Sequence, residues 1–210
     1  MNEPPNSRAG EAPLVTPELR RKNLRTVGAL AALFFVPLLV SFWMYYGSAW
    51  RPAASTNHGE LLEPARPLPH VDLRDAAGTF APANVLSEKW ALVYVGDGQC
   101  NEACRNSLYF MRQTRLSLNN EMTRVARVFL AAEQCCNREF LEREHSGLIV
   151  LDATGPEARD LVNAFPQTDR AQSLFIVDPL GNLVMRYDVR EDPKGLLTDL
   201  KKLLKLSHIG

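Results

Sequence analysis

No charged side chain occurs between residues 26 and 50, and residues 27–46 read VGALAALFFVPLLVSFWMYY. A helix needs about 20 apolar residues to cross roughly 30 Å of hydrocarbon. This run therefore sets the layout: a membrane anchor over residues 27–50, with anything globular on one side of it. Pro37 interrupts the run, but membrane helices tolerate proline better than soluble ones. Trp43, Tyr45, Tyr46 and Trp50 gather at its C-terminal end, as an aromatic belt at the head groups would. Arg20, Arg21, Lys22 and Arg25 precede it closely, against Arg51 alone after it. That asymmetry predicts a cytoplasmic N-terminus, with everything beyond Trp50 on the far side of the membrane. A cleaved signal peptide, with Gly47-Ser48-Ala49 as its small-residue site, is the competing reading. The length of the apolar run and of the chain before it favours the anchor.

Residues 1–26 are expected to form a cytoplasmic tail, disordered where Pro, Asn, Glu and Ala dominate without periodicity. Residues 51–69 carry Pro52, Pro64, Pro67 and Pro69 and read as an extended spacer. Residues 70–210 are enough for one domain with its own core. Lys and Arg together number 24, as do Asp and Glu; with no basic excess, nucleic acid is not an expected partner. Four cysteines are too few for a disulfide-stapled scaffold.

Within the domain, the elements alternate. WALVYV at residues 90–95 is a run suited to a strand buried on both faces, and the Gly96-Asp97-Gly98 break leads into a helix over 101–119. Residues 125–132 (VARVFLAA) form a second buried strand, 138–144 a short helix, 148–151 a third strand and 155–165 a helix. Strands at 173–177 and 183–187 flank Asp178-Pro179-Leu180-Gly181-Asn182, which has hairpin-turn chemistry. Asp192 caps a last helix begun by Pro193, with Leu196, Leu197, Leu200, Leu203 and Leu204 facing inward. This order predicts an α/β, thioredoxin-like fold, with parallel strands, crossover helices and a terminal antiparallel hairpin.

Cys100 and Cys104 form a C-x-x-x-C at the first strand–helix corner. Spaced by one turn, the two lie on one helix face, where a helix N-terminus stabilises a thiolate. Two such sulfurs can close a disulfide or grip a soft ion such as Cu(I). A purely structural disulfide is the bland alternative. Cys135-Cys136 directly follows the second strand, which should end at the same sheet edge. The pair could serve as resolving thiols, as extra soft ligands, or as one buried and one exposed thiol without function. His58, His70, His145 and His208 read as incidental, and Met111 as core packing.

KWALVYVGDGQCNEAC resembles the active-site corner of the Sco/SenC family, membrane-anchored thioredoxin-fold proteins that serve cytochrome c oxidase assembly. The tail, single anchor, proline-rich segment and C-x-x-x-C corner follow that family's layout. The resemblance implies a thiol–disulfide or copper, Cu(I), site at Cys100 and Cys104. It further implies a thiol–disulfide oxidoreductase activity, the bacterial inner membrane with a periplasmic domain as location, and a haem–copper oxidase subunit or its assembly factors as partner. The chain departs from the family at Asn101 and Arg105, where the family usually has proline, and at Arg170, where a copper-binding histidine is expected. A guanidinium stays protonated and has no lone pair to offer a metal. Arg170 could instead lower a cysteine pKa, pair with a partner's carboxylate, or be an ordinary surface arginine. A tethered interaction domain that has lost copper binding is the alternative function. An ordinary thioredoxin would show C-x-x-C and a proline before residue 173, and a peroxiredoxin a threonine and proline ahead of its cysteine; neither pattern occurs.

Overall fold

The computed structural model describes residues 17–47, 57–207 and 209, and the chain divides into two units, Met1–Ala54 and Ser55–Gly210. In the first, helix α1 spans Pro17–Gly47. Proline suits the first helical position because its missing N–H has no partner there anyway. Glu18 in the first turn favours the helix dipole. Residues 17–26, expected within the disordered tail, are thus helical. Residues 1–16 and the expected anchor residues 48–50 lie outside the described residues. The stretch Arg20–Gly47 is long and apolar enough to cross a membrane, and Pro37 sits inside the helix without ending it.

The second unit is built on a seven-stranded sheet: β1 (Glu60–Pro67), β2 (Arg74–Asp75), β3 (Trp90–Gly96), β4 (Val125–Ala131), β5 (Ile149–Asp152), β6 (Ser173–Val177) and β7 (Asn182–Asp188). Their order across the sheet is β1-β7-β6-β3-β4-β5-β2. Strands β3, β4 and β5 run parallel, while β6 joins β3 antiparallel and forms the expected hairpin with β7. In that hairpin the Asp178 carboxylate accepts from the Leu180 and Asn182 amides at 2.9 and 2.8 Å, and Gly181 takes the left-handed conformation at φ 83° that glycine allows without penalty.

Alternation along β3 builds two cores. Trp90, Leu92 and Tyr94 face a cluster with Leu108 and Met111 of helix α2 (Glu102–Leu116) and Leu196, Leu200 and Leu204 of helix α5 (Pro193–Leu206). Ala91, Val93 and Val95 face a second cluster holding Leu161 of helix α4 (Arg159–Ala164), Phe165 and Leu62. Strand β3 is therefore apolar on both faces, as a strand between two helical layers must be. The helix expected over 155–165 is instead a 3-10 turn at Pro156–Ala158 followed by α4.

The expected spacer is the largest departure. Within it, β1 pairs antiparallel with β7, Glu60 opposite Arg186 and Pro67 opposite Asn182, and Leu62 and Leu68 are buried. Pro64 and Pro67 are compatible with this because β1 is the outermost strand, where a missing N–H breaks no ladder. The folded unit therefore starts before His70.

Candidate functional site

The site begins where β3 ends. Asp97 closes the loop after it: its carbonyl accepts from the Cys100 amide at 3.0 Å and its carboxylate from the Gln99 amide at 3.0 Å. Cys100 takes a left-handed backbone conformation, φ 56°. Asn101 then caps α2, its side-chain oxygen accepting from the Cys104 amide at 3.1 Å. Asparagine is among the best N-cap residues, so this departure from the Sco pattern has a local structural role. Cys100 and Cys104 form a disulfide with Cα atoms 5.0 Å apart, and both residues are only 1% exposed. Arg105 donates from Nε to the Cys100 carbonyl at 3.2 Å, and its guanidinium lies 4.7 Å above the Phe140 ring.

Cys135 and Cys136 form a second disulfide, across a cis peptide bond. They follow β4, whose Ala131 is level with Gly96 of β3. The Ala132 amide donates to the Gly96 carbonyl and the Asn137 amide to the Gly98 carbonyl, each at 2.8 Å. A Cβ on Gly98 would stand 2.1 Å from the Gln134 carbonyl oxygen and 3.0 Å from the Cys135 Cα; only glycine lets the two loops lie this close. Asn137 caps helix α3 (Arg138–Glu144), accepting from the Phe140 amide at 3.3 Å. Cys136 and Phe140 pack on the cluster that contains Cys100 and Cys104. The two cysteine pairs thus share one edge of the sheet.

Tyr94 ties the third side. Its hydroxyl donates to the Ala171 carbonyl at 3.1 Å, and the Ser107 hydroxyl of α2 donates to the same oxygen at 3.4 Å. Burial, reinforced by the Asp97 charge, pushes the Tyr94 phenol up to about 12, while Arg170 pulls the other way. Arg170 is half-buried, donates to the Val162 carbonyl at 3.4 Å, and is lowered by burial against the opposing charges of Glu133 and Tyr94. Neither Gly98 nor Tyr94 is marked as a positioning residue by sequence spacing. A glycine two residues past a buried strand and two before a cysteine is the one available hint.

The other candidate ligands lie elsewhere. His58 pairs with Asp192 at 3.0 Å, His70 is exposed, and Met111 is fully buried in the core. His145 is buried beside Phe140, ring centroids 5.4 Å apart, and His208 lies outside the described residues. Among the described residues, no three His, Cys, Asp or Glu side chains form a group able to hold a metal ion. With Arg170 at the expected histidine position, the residues do not fit a Cys–Cys–His copper site.

A family model described as a transmembrane-like, thioredoxin-like, C-terminal domain matches residues 90–207. Among solved structures, the domain is similar to yeast Sco1, at 18% identity and TM-score 0.59, covering 70% of this chain and 98% of that one. The copper-bound form of yeast Sco1 gives 17% identity and TM-score 0.56, covering 74% and 95%. BsSco, described with a disulfide switch and as a member of the Sco family of cytochrome c oxidase assembly proteins, gives 15% and 0.51, covering 68% and 96%. The thioredoxin-like fold is therefore shared with Sco proteins. No curated protein matches the chain.

Proposed function

This chain belongs to the family of transmembrane-like, thioredoxin-like C-terminal domains, and from that premise we propose that it is a membrane-tethered thiol–disulfide exchange factor assisting haem–copper oxidase assembly. The observation that carries this reading is the Cys100–Cys104 disulfide at the strand–helix corner, backed by a second disulfide on the same edge. In the exchange, a client thiolate attacks one sulfur of the pair, forming a mixed disulfide and releasing the other cysteine as a thiolate. The client's second thiolate then displaces the bound cysteine, leaving the client oxidised by two electrons and Cys100 and Cys104 reduced. Run in reverse, the reduced pair cleaves a client disulfide. The helix N-terminus, with Asn101 orienting the Cys104 amide, favours the thiolate state. No step is assigned to copper, because among the described residues no third ligand joins the two sulfurs.

The proposal extends to the chain's location. Arg20, Arg21, Lys22 and Arg25 keep the N-terminus cytoplasmic, α1 stays as an uncleaved anchor in a bacterial inner membrane, and the domain faces the periplasm. Two disulfides among four cysteines suit that oxidising compartment. Oxidase subunits or their assembly factors are the clients.

The near-complete burial of both sulfurs favours one second reading: a non-catalytic interaction domain in which the disulfide is structural. Equilibrating the full chain in detergent with glutathione redox buffers, then counting alkylated cysteines by mass, separates the two. Exchange at Cys100 and Cys104, with a glutathione adduct trapped in Cys104→Ser, supports the exchange factor. A pair that stays oxidised across all buffers establishes the interaction domain instead.

A further inference from the structure

Away from the cysteine edge, towards the start of β4, one side chain lacks the partners its chemistry demands. Arg127 is the single charged residue of β4 (VARVFLA) and is 5% exposed. Its Nη2 donates to the Ser146 carbonyl at 2.6 Å, while Nε and Nη1 are buried with no hydrogen-bond partner. Among the described residues no carboxylate pairs with it, and burial first, then the charges of Arg115 and Arg112, lower its proton affinity. Arg115 is held by its Nε bond to the Val125 carbonyl at 2.7 Å, and Arg112 by an Nη1 bond to the Glu144 carbonyl at 3.1 Å. Arg112, Arg115, Arg127 and Arg143 line a recess of about 190 Å³ with Leu116, Glu144 and Ser146. Glu144, its one acidic member, is paired with Arg143 at 3.0 Å. Three arginines of the recess are left without a carboxylate partner among the described residues.

A buried cation with unused donors, arginines beside it and the one nearby carboxylate already paired elsewhere is unfavourable, and an anion would remove that penalty. We propose that this recess binds a phosphate-class oxyanion, with Arg127 as the buried anchor and Arg112 and Arg115 as its outer donors. Guanidinium forks match the paired oxygens of phosphate, and the excess of positive charge suits a polyvalent anion better than a single carboxylate. The recess is smaller than the roughly 300–1,000 Å³ of sites for drug-sized ligands, so it takes a phosphate group and not a nucleotide. A soluble phosphate ester and a phospholipid headgroup present the same chemistry.

His145 supplies a reporter. It is buried, its Nδ1 has no partner, and its proton affinity is lowered by burial first and then by Arg127 and Arg112, against the opposing charge of Glu144. An anion bound at those arginines should offset their charge and raise it. The test uses the full chain in neutral detergent micelles at constant ionic strength, titrated with inorganic phosphate by calorimetry, with the His145 ring followed by NMR. The expected result is saturable uptake of one phosphate per chain and an upward move of the His145 titration as the site fills. Arg127→Met should weaken uptake by about tenfold or more, as expected for loss of a charge-assisted bond, and abolish the His145 response. Arg112→Gln, at an exposed position of α2, and Arg115→Gln, half-buried against β4, should each weaken it, with circular dichroism confirming that the fold is kept. Displacement of phosphate by dioctanoyl-phosphatidylglycerol supports the site with a headgroup as occupant; phosphate that resists displacement supports a soluble ester. Absence of saturable uptake, or uptake unchanged in the Arg112→Gln/Arg115→Gln variant, overturns the proposal.

Discussion

The cysteine edge and the arginine recess are built from the same strands and helices but solve opposite problems. At the cysteine edge, the polar groups that shape the loops are matched: Asp97, Asn101, Tyr94, Asn137 and Arg105 each have a partner. At the recess, cations converge and Arg127 keeps two donors unused. A site whose chemistry is internal, a bond between its own sulfurs, can be satisfied within the chain. A site shaped for an external charge is left unsatisfied without it. This contrast predicts that the cysteine end will be intolerant of substitution and the recess tolerant.

The largest effect is expected from Cys104→Ser. It should abolish turnover in a glutathione-coupled assay, leave Cys100 able to form only mixed disulfides, and lower stability by about 2 kcal/mol through loss of a short disulfide loop, read by urea denaturation. Retained turnover would break the assignment of the exchange to this pair. Next, Gly98→Ala should cost about 1–3 kcal/mol, as overpacking against backbone does, because its Cβ meets the Gln134 carbonyl oxygen. Thermal unfolding measures it, and an unchanged midpoint would mean that the two cysteine loops are not held together as described. Tyr94→Phe should cost about 1 kcal/mol, the worth of one hydrogen bond, since Ser107 still donates to the Ala171 carbonyl.

The recess end should respond to pH more than to mutation. Because the His145 imidazole is lowered from its usual 6.5, the unfolded chain binds its proton more readily than the folded one. Its contribution to stability is therefore complete above about 6.5, lost as pH falls from there through the folded-state value, and constant below it. Denaturation midpoints in His145→Gln should lack that component. The smallest effect is expected from Arg127→Met in phosphate-free buffer: within about 1 kcal/mol of the parent, because removing an uncompensated buried charge offsets the lost bond to Ser146. A loss of several times that would make Arg127 a structural cation.

How far each region is legible in the sequence follows from how local its signals are. The boundaries of α3 and β6, the cap Asp192 with Pro193, and the Asp178 hairpin all agree with the pattern, because caps, turns and apolar periodicity act within a few residues. Strand β1 was hidden by Pro64 and Pro67, which read as a linker until an edge position in the sheet makes them acceptable. Arg127 carries a signal too, a lone charge in VARVFLAA. Its meaning depends on Arg112 and Arg115 reaching it from α2.

By itself, the sequence determined a helix long and apolar enough to cross a membrane, the alternation that makes a thioredoxin-like domain, and the C-x-x-x-C at a helix start, since hydropathy, period and spacing are properties of contiguous residues. Only the tertiary structure decided that β1 belongs to the sheet, that Gly98 lets the Cys135–Cys136 loop lie against the Cys100 loop, and that three arginines with no carboxylate partner among the described residues line one recess. Those arrangements arise from strand register and crossover connections, which bring together residues that no local pattern relates.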